Sequence, residues 1–167
     1  MKKYGIIIIS ILYIIFLTRC YNGLTKPEPD IPTTYQETEK EYSNIDYKTY
    51  IQLLSATAKP PNSAGGIDLC IVWKNVSDKT VKYADFTCAL YNAVDDMVQD
   101  TITHRFYFKG RVTGPVQPNE IYGKNYFWEN AWWNNSGKYV KITGIQLEYM
   151  DGTKIEIPDS HIDELFY

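Results

Sequence analysis

Residues 67–74 read Ile-Asp-Leu-Cys-Ile-Val-Trp-Lys, and residues 81–91 read Val-Lys-Tyr-Ala-Asp-Phe-Thr-Cys-Ala-Leu-Tyr. In the first segment a large apolar side chain stands at every second position, which is the pattern of a half-buried β-strand. In the second segment Phe86 and Leu90 share one phase. Residues 75–79 (Asn-Val-Ser-Asp-Lys) lie between the two and are typical of a turn. The two segments therefore predict consecutive strands joined by a turn.

The same alternation continues on both sides and is interrupted by turn residues about every 8–12 positions. Further strands are predicted at residues 51–58, 98–108, 121–128, 139–149 and 153–157. Asp151-Gly152 predicts a type I′ hairpin turn between the last two of these. Because no segment after Tyr50 has a clear helical period, the pattern predicts an all-β domain. We expect an antiparallel β-sandwich of about seven strands over residues 50–167.

The alternation changes phase inside residues 139–149. Val140 and Ile142 are in one phase, whereas Ile145 is in the other. The change falls at Thr143-Gly144, and a glycine accommodates the extra residue of a β-bulge. The sequence therefore predicts a β-bulge at this point.

Five segments carry a resemblance to a known family. They are residues 75–83 (NVSDKTVKY), Phe86 with residues 90–96 (LYNAVDD), 113–115 (TGP), 128–132 (WENAW) and 148–152 (EYMDG). Together they resemble an immunoglobulin-like domain of unknown function similar to the FxLYD type, which is found in bacterial exported proteins. The similarity covers about residues 66–157. It implies an immunoglobulin-like sandwich and an extracytoplasmic setting, and it brings no catalytic residues.

The N-terminus has the pattern of an export signal. Lys2 and Lys3 precede thirteen uncharged residues, 5–17 (GIIIISILYIIFL), and Cys20 follows shortly after. This run is shorter than the ~20 apolar residues that a membrane-spanning helix needs. A single cysteine just beyond it resembles the lipobox of bacterial lipoproteins, which implies that Cys20 is lipidated. We predict a lipoprotein signal peptide at residues 1–19. An uncleaved anchor helix is the alternative, because Arg19 stands where a lipobox usually has a small residue.

Residues 20–49 have the composition of a flexible tether. Pro27, Pro29 and Pro32 favour an extended spacer, and residues 36–42 could form a short helical piece. Both interpretations of the N-terminus place the remainder in the bacterial cell envelope, facing the periplasm or the exterior. The whole chain has a formal net charge of -3, and without residues 1–19 it has 14 Lys and Arg against 20 Asp and Glu, a net of -6. This acidic balance argues against nucleic acid as a partner.

No pattern of residues predicts catalysis. His104 has no nucleophile near it in sequence, and residues 159–164 (DSHIDE) form a weak metal-like cluster that we interpret as a solvated cap. Asp95 and Asp96 fall where a turn is expected. No phosphate loop, nucleophile elbow or Cys-x-x-Cys motif is present in the sequence. We therefore predict that the protein is not an enzyme and uses no cofactor or metal.

Two cysteines remain in the predicted domain, Cys70 and Cys88. The disulfide of immunoglobulin domains joins the second and sixth strands, and the predicted strand at residues 139–149 contains no cysteine. Cys70 also has the opposite phase to its apolar neighbours Leu69 and Ile71. We expect two free, packed thiols, with a bridge between them as the alternative.

Aromatic residues are concentrated between Tyr122 and Tyr139 and are interleaved with asparagines. The run comprises Tyr122, Tyr126, Phe127, Trp128, Trp132, Trp133 and Tyr139. Core packing is one interpretation, above all for Tyr126, Trp128 and Trp132. The other is a ligand or partner patch formed by Trp133, Tyr139, Tyr122 and Asn134, because adjacent strand residues point in opposite directions. The sequence thus predicts a cell-envelope interaction module that binds another envelope protein, or alternatively a surface glycan-binding protein.

Overall fold

Nine β-strands make up most of residues 45–167, the part of the chain that the computed structural model describes. The strands are β1 (Ile51–Ala58), β2 (Gly66–Asn75), β3 (Val81–Tyr91), β4 (Met97–Val98), β5 (Tyr107–Val116), β6 (Ile121–Tyr122), β7 (Trp128–Trp133), β8 (Tyr139–Tyr149) and β9 (Lys154–Pro158). Short 3-10 turns lie at Tyr47–Thr49, Asp159–His161 and Asp163–Leu165. The predicted signal segment, Cys20 and most of the predicted tether lie outside the described residues. Within residues 45–167 there is no helix with the length and apolar character to span a membrane.

The strands form two antiparallel sheets. In the first, β1 pairs with one edge of β2, and β6 and β7 pair in succession along the other edge. In the second, β3 is central, β8 and then β9 lie on one side, and β4 and β5 share the other. This arrangement confirms the prediction of an all-β fold with antiparallel sheets.

The core lies between the two sheets. Trp73 of β2 and Phe86 of β3 are fully buried, and their ring centroids are 5.9 Å apart. Ile67 and Leu69 from the first sheet and Leu90 from the second are also fully buried. Each such side chain contributes about 1.5–3 kcal/mol on burial. The alternating residues that predicted the two opening strands are therefore the residues that join the sheets.

Strands β1, β3 and β8 have the predicted bounds, but the single strand predicted at residues 98–108 is wrong. The chain makes two-residue β4, turns, and begins β5 at Tyr107. The turn forms because the Asp100 carboxylate accepts main-chain N–H groups of Ile102 (2.9 Å) and Thr103 (2.5 Å). His104 then adopts a φ of 57°, which no strand tolerates.

The strand predicted at residues 121–128 is also divided. β6 ends at Tyr122, and Gly123 turns the chain with a φ of 97° while it lies directly against the carbonyl of Ile71. A Cβ at this glycine would be 1.9 Å from that oxygen, so only glycine fits. The chain returns to the sheet as β7 at Trp128–Trp133.

The predicted bulge in β8 is confirmed. Thr87 pairs with Gly144 and Cys88 pairs with Ile142, which leaves Thr143 as the extra residue. The hairpin at Asp151-Gly152 is confirmed as well, but its type I′ assignment is wrong. Of these two residues only Gly152 has a positive φ (84°), and a bond from Gly152 N–H to the Tyr149 carbonyl (3.0 Å) closes the turn. This is a type I turn followed by a left-handed glycine.

The two cysteines of the domain are free and buried, as predicted. Cys88 shares the core face of Phe86 and Leu90, and burial raises its pKa to about 12. Cys70 points to the opposite face of its sheet, where its Sγ lies 3.4 Å from the Gly123 carbonyl oxygen. The two thiols therefore belong to different sheets and face different surroundings.

The compact unit begins at Asp46, four residues before the predicted boundary at Tyr50. Tyr47, assigned to the tether from the sequence, is fully buried, with its ring centroid 4.8 Å from that of His161. The C-terminus closes over the same region, because the Tyr167 hydroxyl donates to the Lys48 carbonyl (3.3 Å). The first and last residues of the unit thus pack together.

Candidate binding cleft

The aromatic stretch from Tyr122 to Tyr139 divides into parts with different surroundings. Four of its rings continue the core outward through contacts between consecutive centroids of 5.2–6.2 Å. This chain runs from Trp73 through Tyr122, Tyr126, Trp128 and Phe108 to Trp132. Only Trp132 of the three predicted core residues is fully buried, whereas Tyr126 is 38% exposed and Trp128 is half-buried. Tyr122, predicted in the patch, belongs to this packed series.

Tyr139 is held in a separate cluster. Its ring stacks on that of Tyr91 with centroids 5.6 Å apart and planes at 14°. Its hydroxyl donates to the Asp95 carboxylate, which also receives Lys141 Nζ at 3.0 Å. These two hydrogen bonds, first that of Tyr139 and then that of Lys141, lower the pKa of Asp95. One face and the hydroxyl of Tyr139 are thus already engaged within the domain.

Asn134, also predicted in the patch, organises a turn. Its side-chain amide donates to the Gln99 carbonyl (2.8 Å), and its Oδ1 accepts from the main-chain N–H (2.8 Å) and hydroxyl (2.6 Å) of Ser136. Its main-chain N–H donates to the Gly65 carbonyl (2.9 Å). A structural role therefore accounts for the polar groups of this residue.

Trp133 is the predicted patch residue that lines an open cleft. The cleft has a volume of about 410 Å³ and lies between residues 100–109 on one side and residues 130–133 on the other. Trp132 is buried at its inner side, whereas Trp133 is half-buried. Tyr107, 49% exposed, lines the facing wall. Within residues 45–167 neither Trp133 nor Tyr107 contacts another aromatic ring, and of the two it is Tyr107 that is exposed.

A buried carboxylate holds the two walls together. Asp100, 4% exposed, accepts the main-chain N–H of Trp133 at 2.7 Å in addition to the two N–H groups of its own turn. Thr101 adds bonds from its N–H (2.9 Å) and hydroxyl (2.7 Å) to the Trp133 carbonyl. Burial acts to raise the pKa of Asp100, but the hydrogen bonds from Thr103, Trp133 and Ile102 together outweigh it, and the pKa is lowered. The turn and β7 are therefore one connected frame.

The cleft carries two exposed cations, Arg105 and Lys109. Neither has an ion-pair partner among the described residues. Of the other ten basic side chains among residues 45–167, six form ion pairs (Lys59, Lys79, Lys82, Arg111, Lys141 and Lys154) and four do not (Lys48, Lys74, Lys124 and Lys138). Asn130, with a left-handed φ of 50°, completes the wall on the β7 side. The cleft thus combines the exposed ring of Tyr107, the half-buried Trp133 and two cations without ion-pair partners among the described residues.

The acidic segments have local roles in the structure. The Asn92 side-chain oxygen accepts the N–H groups of Val94 (3.0 Å) and Asp96 (2.9 Å), which confirms the turn predicted around Asp95 and Asp96. His161 Nδ1 lies 2.7 Å from Glu164 Oε1. Among residues 45–167 no group of three or more His, Cys, Asp or Glu side chains converges in a way that could hold a metal ion.

The sequence indicated Trp133 but not Arg105, Tyr107 or Lys109. Arg105 and Tyr107 fell inside the continuous strand predicted at residues 98–108, and Lys109 fell just beyond it. A usable signal was present at Asp100, which is followed three residues later by Thr103 and forms an Asx-type turn. An Asx-type turn at Asp100 interrupts the predicted strand at residues 98–108, so that a new edge strand begins at Tyr107.

Comparisons of the chain with protein-family models, curated proteins and solved structures found no match. The cleft is therefore defined by the geometry of this chain. Its residues come from β5, β7 and the turn before β5, which are far apart in sequence and joined by Asp100.

Proposed function

We propose that the protein is a non-catalytic interaction module anchored in the bacterial cell envelope, and that it binds its partner in the cleft between β5 and β7. One observation carries this proposal: the cleft and the point where the chain enters the domain lie at opposite ends of the sheets. We call the end at Asp46–Tyr50 the proximal end and the other the distal end.

Strand register supports this opposition. At the proximal end Ile51 pairs with Asn75, and the Val76 N–H donates to the Tyr50 carbonyl (3.3 Å). At the distal end Gly66 pairs with Trp133, and the Thr101 N–H donates to the Trp133 carbonyl. Ten-residue β2 spans the distance between the two ends, about 33 Å for an extended strand. The cleft therefore lies at the end of the sheets away from Asp46.

The order of the strands supports an immunoglobulin-like type. β1, β2 and β7 lie together in one sheet, and β3, β8 and β9 lie together in the other. This matches strands A, B and E facing C, F and G of immunoglobulin domains, with β5 beside the C position. Such folds carry their recognition surfaces at strand ends and edges, where variation leaves the core intact.

Lipid attachment at Cys20 supplies the anchor in this proposal. The apolar run before Cys20 and the proline-containing segment after it are the sequence features that support it. A Cys20→Ala chain is expected to leave the membrane fraction and to lose the mass of its acyl groups. Full retention of both in the variant would contradict the lipid anchor.

A glycan is the second candidate for the ligand. Trp133 favours it, because a tryptophan without an aromatic ring partner among the described residues lines the cleft, and such a ring is suited to a saccharide. Apolar sugar faces pack on aromatic rings, and amide groups bind hydroxyls. The cleft is a small concave surface rather than a broad flat one, which favours a glycan over a protein partner.

The binding role is tested by site-specific photocrosslinking in native envelopes. A photoreactive phenylalanine analogue at Phe106, which is 45% exposed next to the cleft, should crosslink to the ligand. The same analogue at Met150, 56% exposed near the proximal end, is the matched control. We expect crosslinking at position 106 that Trp133→Ala abolishes, and none at position 150. Equal crosslinking at both positions, or insensitivity to Trp133→Ala, would refute the role of the cleft.

A further inference from the structure

We infer that the partner is a protein that inserts an acidic extended segment into the cleft and pairs it with the free edge of β5 as an additional strand. The incoming segment directs apolar side chains toward Phe108 and Trp132, between the sheets, and carboxylates toward Lys109 on the outer face. This inference rests on the proposed binding role of the cleft and names the kind of partner that the cleft receives.

The walls of the cleft are the edges of two strands. Consecutive residues of β5 (107–109) and of β7 (130–133) line it. Because consecutive strand residues direct their side chains to opposite faces of a sheet, residues of both faces meet a cleft only along a strand edge. Phe108 and Trp132 are the inward members, with ring centroids 5.4 Å apart. The cleft is therefore a gap at the side of the sandwich, between the outermost strands of its two sheets.

The main chain of β5 has unpaired groups along this gap. The Thr87 carbonyl of β3 accepts a side-chain hydroxyl of β8 (3.3 Å), so Thr87 directs its main-chain groups toward β8. Directions alternate along a strand, and Phe86 therefore directs its groups toward β5, where it pairs with Gly110. Lys109 and Arg111, on either side of Gly110, direct their N–H and C=O groups away from β3. No strand in the described part of the chain pairs with β5 on that side.

The other edges of the sheets are covered, short or irregular. Phe166, near the C-terminus, forms a parallel bridge with Leu53 of β1. β9 has five residues and ends at Pro158. β7 departs from strand geometry at Asn130, whose φ is 50°. Ten-residue β5 is the longest edge strand among residues 45–167, and a long open edge is a template for pairing with another chain.

The charge of this edge selects an acidic segment. Residues 101–119 contain Arg105, Lys109 and Arg111 and no Asp or Glu, in a protein with a net charge of -3. Arg111 is paired with Asp85 of β3, whereas Lys109 has no ion-pair partner among the described residues. A carboxylate on the incoming strand opposite Lys109 completes a favourable cross-strand pair.

The same charges disfavour a second copy of the chain. Antiparallel pairing of two β5 strands about Gly110 would place Lys109 of one copy opposite Arg111 of the other, and like charges directly opposite are destabilising. A folded protein surface is too broad for a cleft of about 410 Å³. A single strand extends a sheet by only about 4.8 Å, so an extended segment suits the cleft better.

Amide hydrogen exchange of the full-length chain in detergent, followed by NMR, tests the free edge and then the added strand. Without ligand, the amides of Lys109 and Arg111 should exchange about tenfold or more faster than those of Phe108 and Gly110, which bond to β3. The probe is an eight-residue peptide in which glutamate and valine alternate, and its binding should protect the Lys109 and Arg111 amides. Unchanged exchange of both amides with peptide bound would overturn strand addition.

Peptide variants separate charge from main-chain pairing. A peptide with lysine in place of each glutamate should bind about tenfold or more weakly, with the difference shrinking as NaCl rises. Two further peptides are N-methylated on alternate residues in opposite phases. One should lose about tenfold or more in affinity and the other should bind like the parent, because only one row of amides faces β5. Equal affinity of these two peptides would contradict pairing along an edge.

Lys109→Ala and Lys109→Pro are matched variants of the protein. Both remove the charge, but only proline removes the outward N–H, and an edge strand tolerates proline at such a position. Lys109→Ala should weaken the glutamate peptide about two- to fivefold, as expected for one cross-strand charge pair. Lys109→Pro should weaken it further, and Lys138→Ala, at another exposed lysine, should have no effect. Equal affinities of the alanine and proline variants, with both folded by thermal unfolding, would overturn pairing at this edge.

The remaining outcomes separate this inference from the proposed function. Equal affinity for the glutamate and lysine peptides would overturn the acidic class of partner. Absence of binding to every peptide, together with crosslinks from position 106 to a saccharide, would overturn the inference and leave the binding role of the cleft in place. Absence of those crosslinks as well would refute the proposed function itself.

Discussion

The main-chain N–H of Trp133 donates to the carboxylate of Asp100 across 2.7 Å. The bond joins β7 of one sheet to the turn that precedes β5 of the other. Both strands are edges of their sheets, and the two bonds from Thr101 to the Trp133 carbonyl join the same segments. Asp100 is the buried side chain among these connections, and it also holds the turn that carries Arg105.

Asp100→Asn should destabilise the protein by about 1–3 kcal/mol, because an amide cannot accept all three N–H groups and directs a donor at one of them. Urea unfolding at pH 7 measures the loss. Asp159→Asn, at an exposed position of the C-terminal 3-10 turn, is the control and should change stability by less than about 0.5 kcal/mol. Equal effects of the two substitutions would show that the connection is unimportant.

The same carboxylate makes stability depend on pH. The pKa of Asp100 is lowered in the folded protein, so its contribution is complete above the unfolded-state pKa of about 3.9 and is lost as pH falls through the lower folded-state value. The parent chain should therefore lose stability below about pH 4, and Asp100→Asn should lose less over the same range. Thermal unfolding between pH 7 and pH 2.5 provides the comparison, and parallel curves would contradict it.

Adjacent tryptophans should respond differently to truncation. Trp132→Ala empties a fully buried site and should cost about 3–5 kcal/mol in the free energy of unfolding. Trp133→Ala removes a half-buried ring and should cost less than half as much while abolishing ligand binding. Urea unfolding and titration of each variant test the pair. A larger stability loss for Trp133→Ala would mean that its ring belongs to the core.

Two glycines form a second matched pair. Gly123→Ala should cost about 2–4 kcal/mol, because φ is 97° and the new Cβ would lie 1.9 Å from the Ile71 carbonyl oxygen. At Gly144 the nearest atoms to a new Cβ are 3.8 and 3.9 Å away, so Gly144→Ala should be neutral or stabilise by about 0.4–1 kcal/mol. Denaturant unfolding distinguishes them. A destabilised Gly144→Ala chain would show that the bulge itself requires glycine.

The thiols of Cys70 and Cys88 should resist alkylation in the folded protein. Both are buried, and burial raises the pKa of each, to about 12 for Cys88. The reactive thiolate is therefore scarce and inaccessible at pH 8. In a Cys20→Ala chain, iodoacetamide followed by mass spectrometry should find no adduct without urea and two adducts with it. Rapid labelling of Cys88 in the native state would contradict its position in the core.

Much of the fold follows from local sequence. Period-two alternation located β1, β3 and β8 because each strand has one face on a shared core, and the change of phase at Thr143-Gly144 revealed the bulge for the same reason. The strand prediction at residues 98–108 is wrong although the side chains there alternate. The Asp100 carboxylate accepts hydrogen bonds from the main chain of Ile102 and Thr103, and these bonds compete with strand pairing.

The sequence by itself determined the alternating core faces of the strands, the turns around Asp95-Asp96 and Asp151-Gly152, and the fact that Trp132 and Trp133 must face opposite ways. Only the tertiary structure decided that Trp133 opens onto a cleft with Tyr107, Arg105 and Lys109, since these residues are more than twenty positions away in the chain. The physical reason is that the alternation of apolar residues depends on burial of one strand face against the other sheet. A cleft depends instead on which strand edges lie close together in space, and the sequence of one strand does not contain that information. Packing of the sheets and the bond from Trp133 to Asp100 bring those edges together.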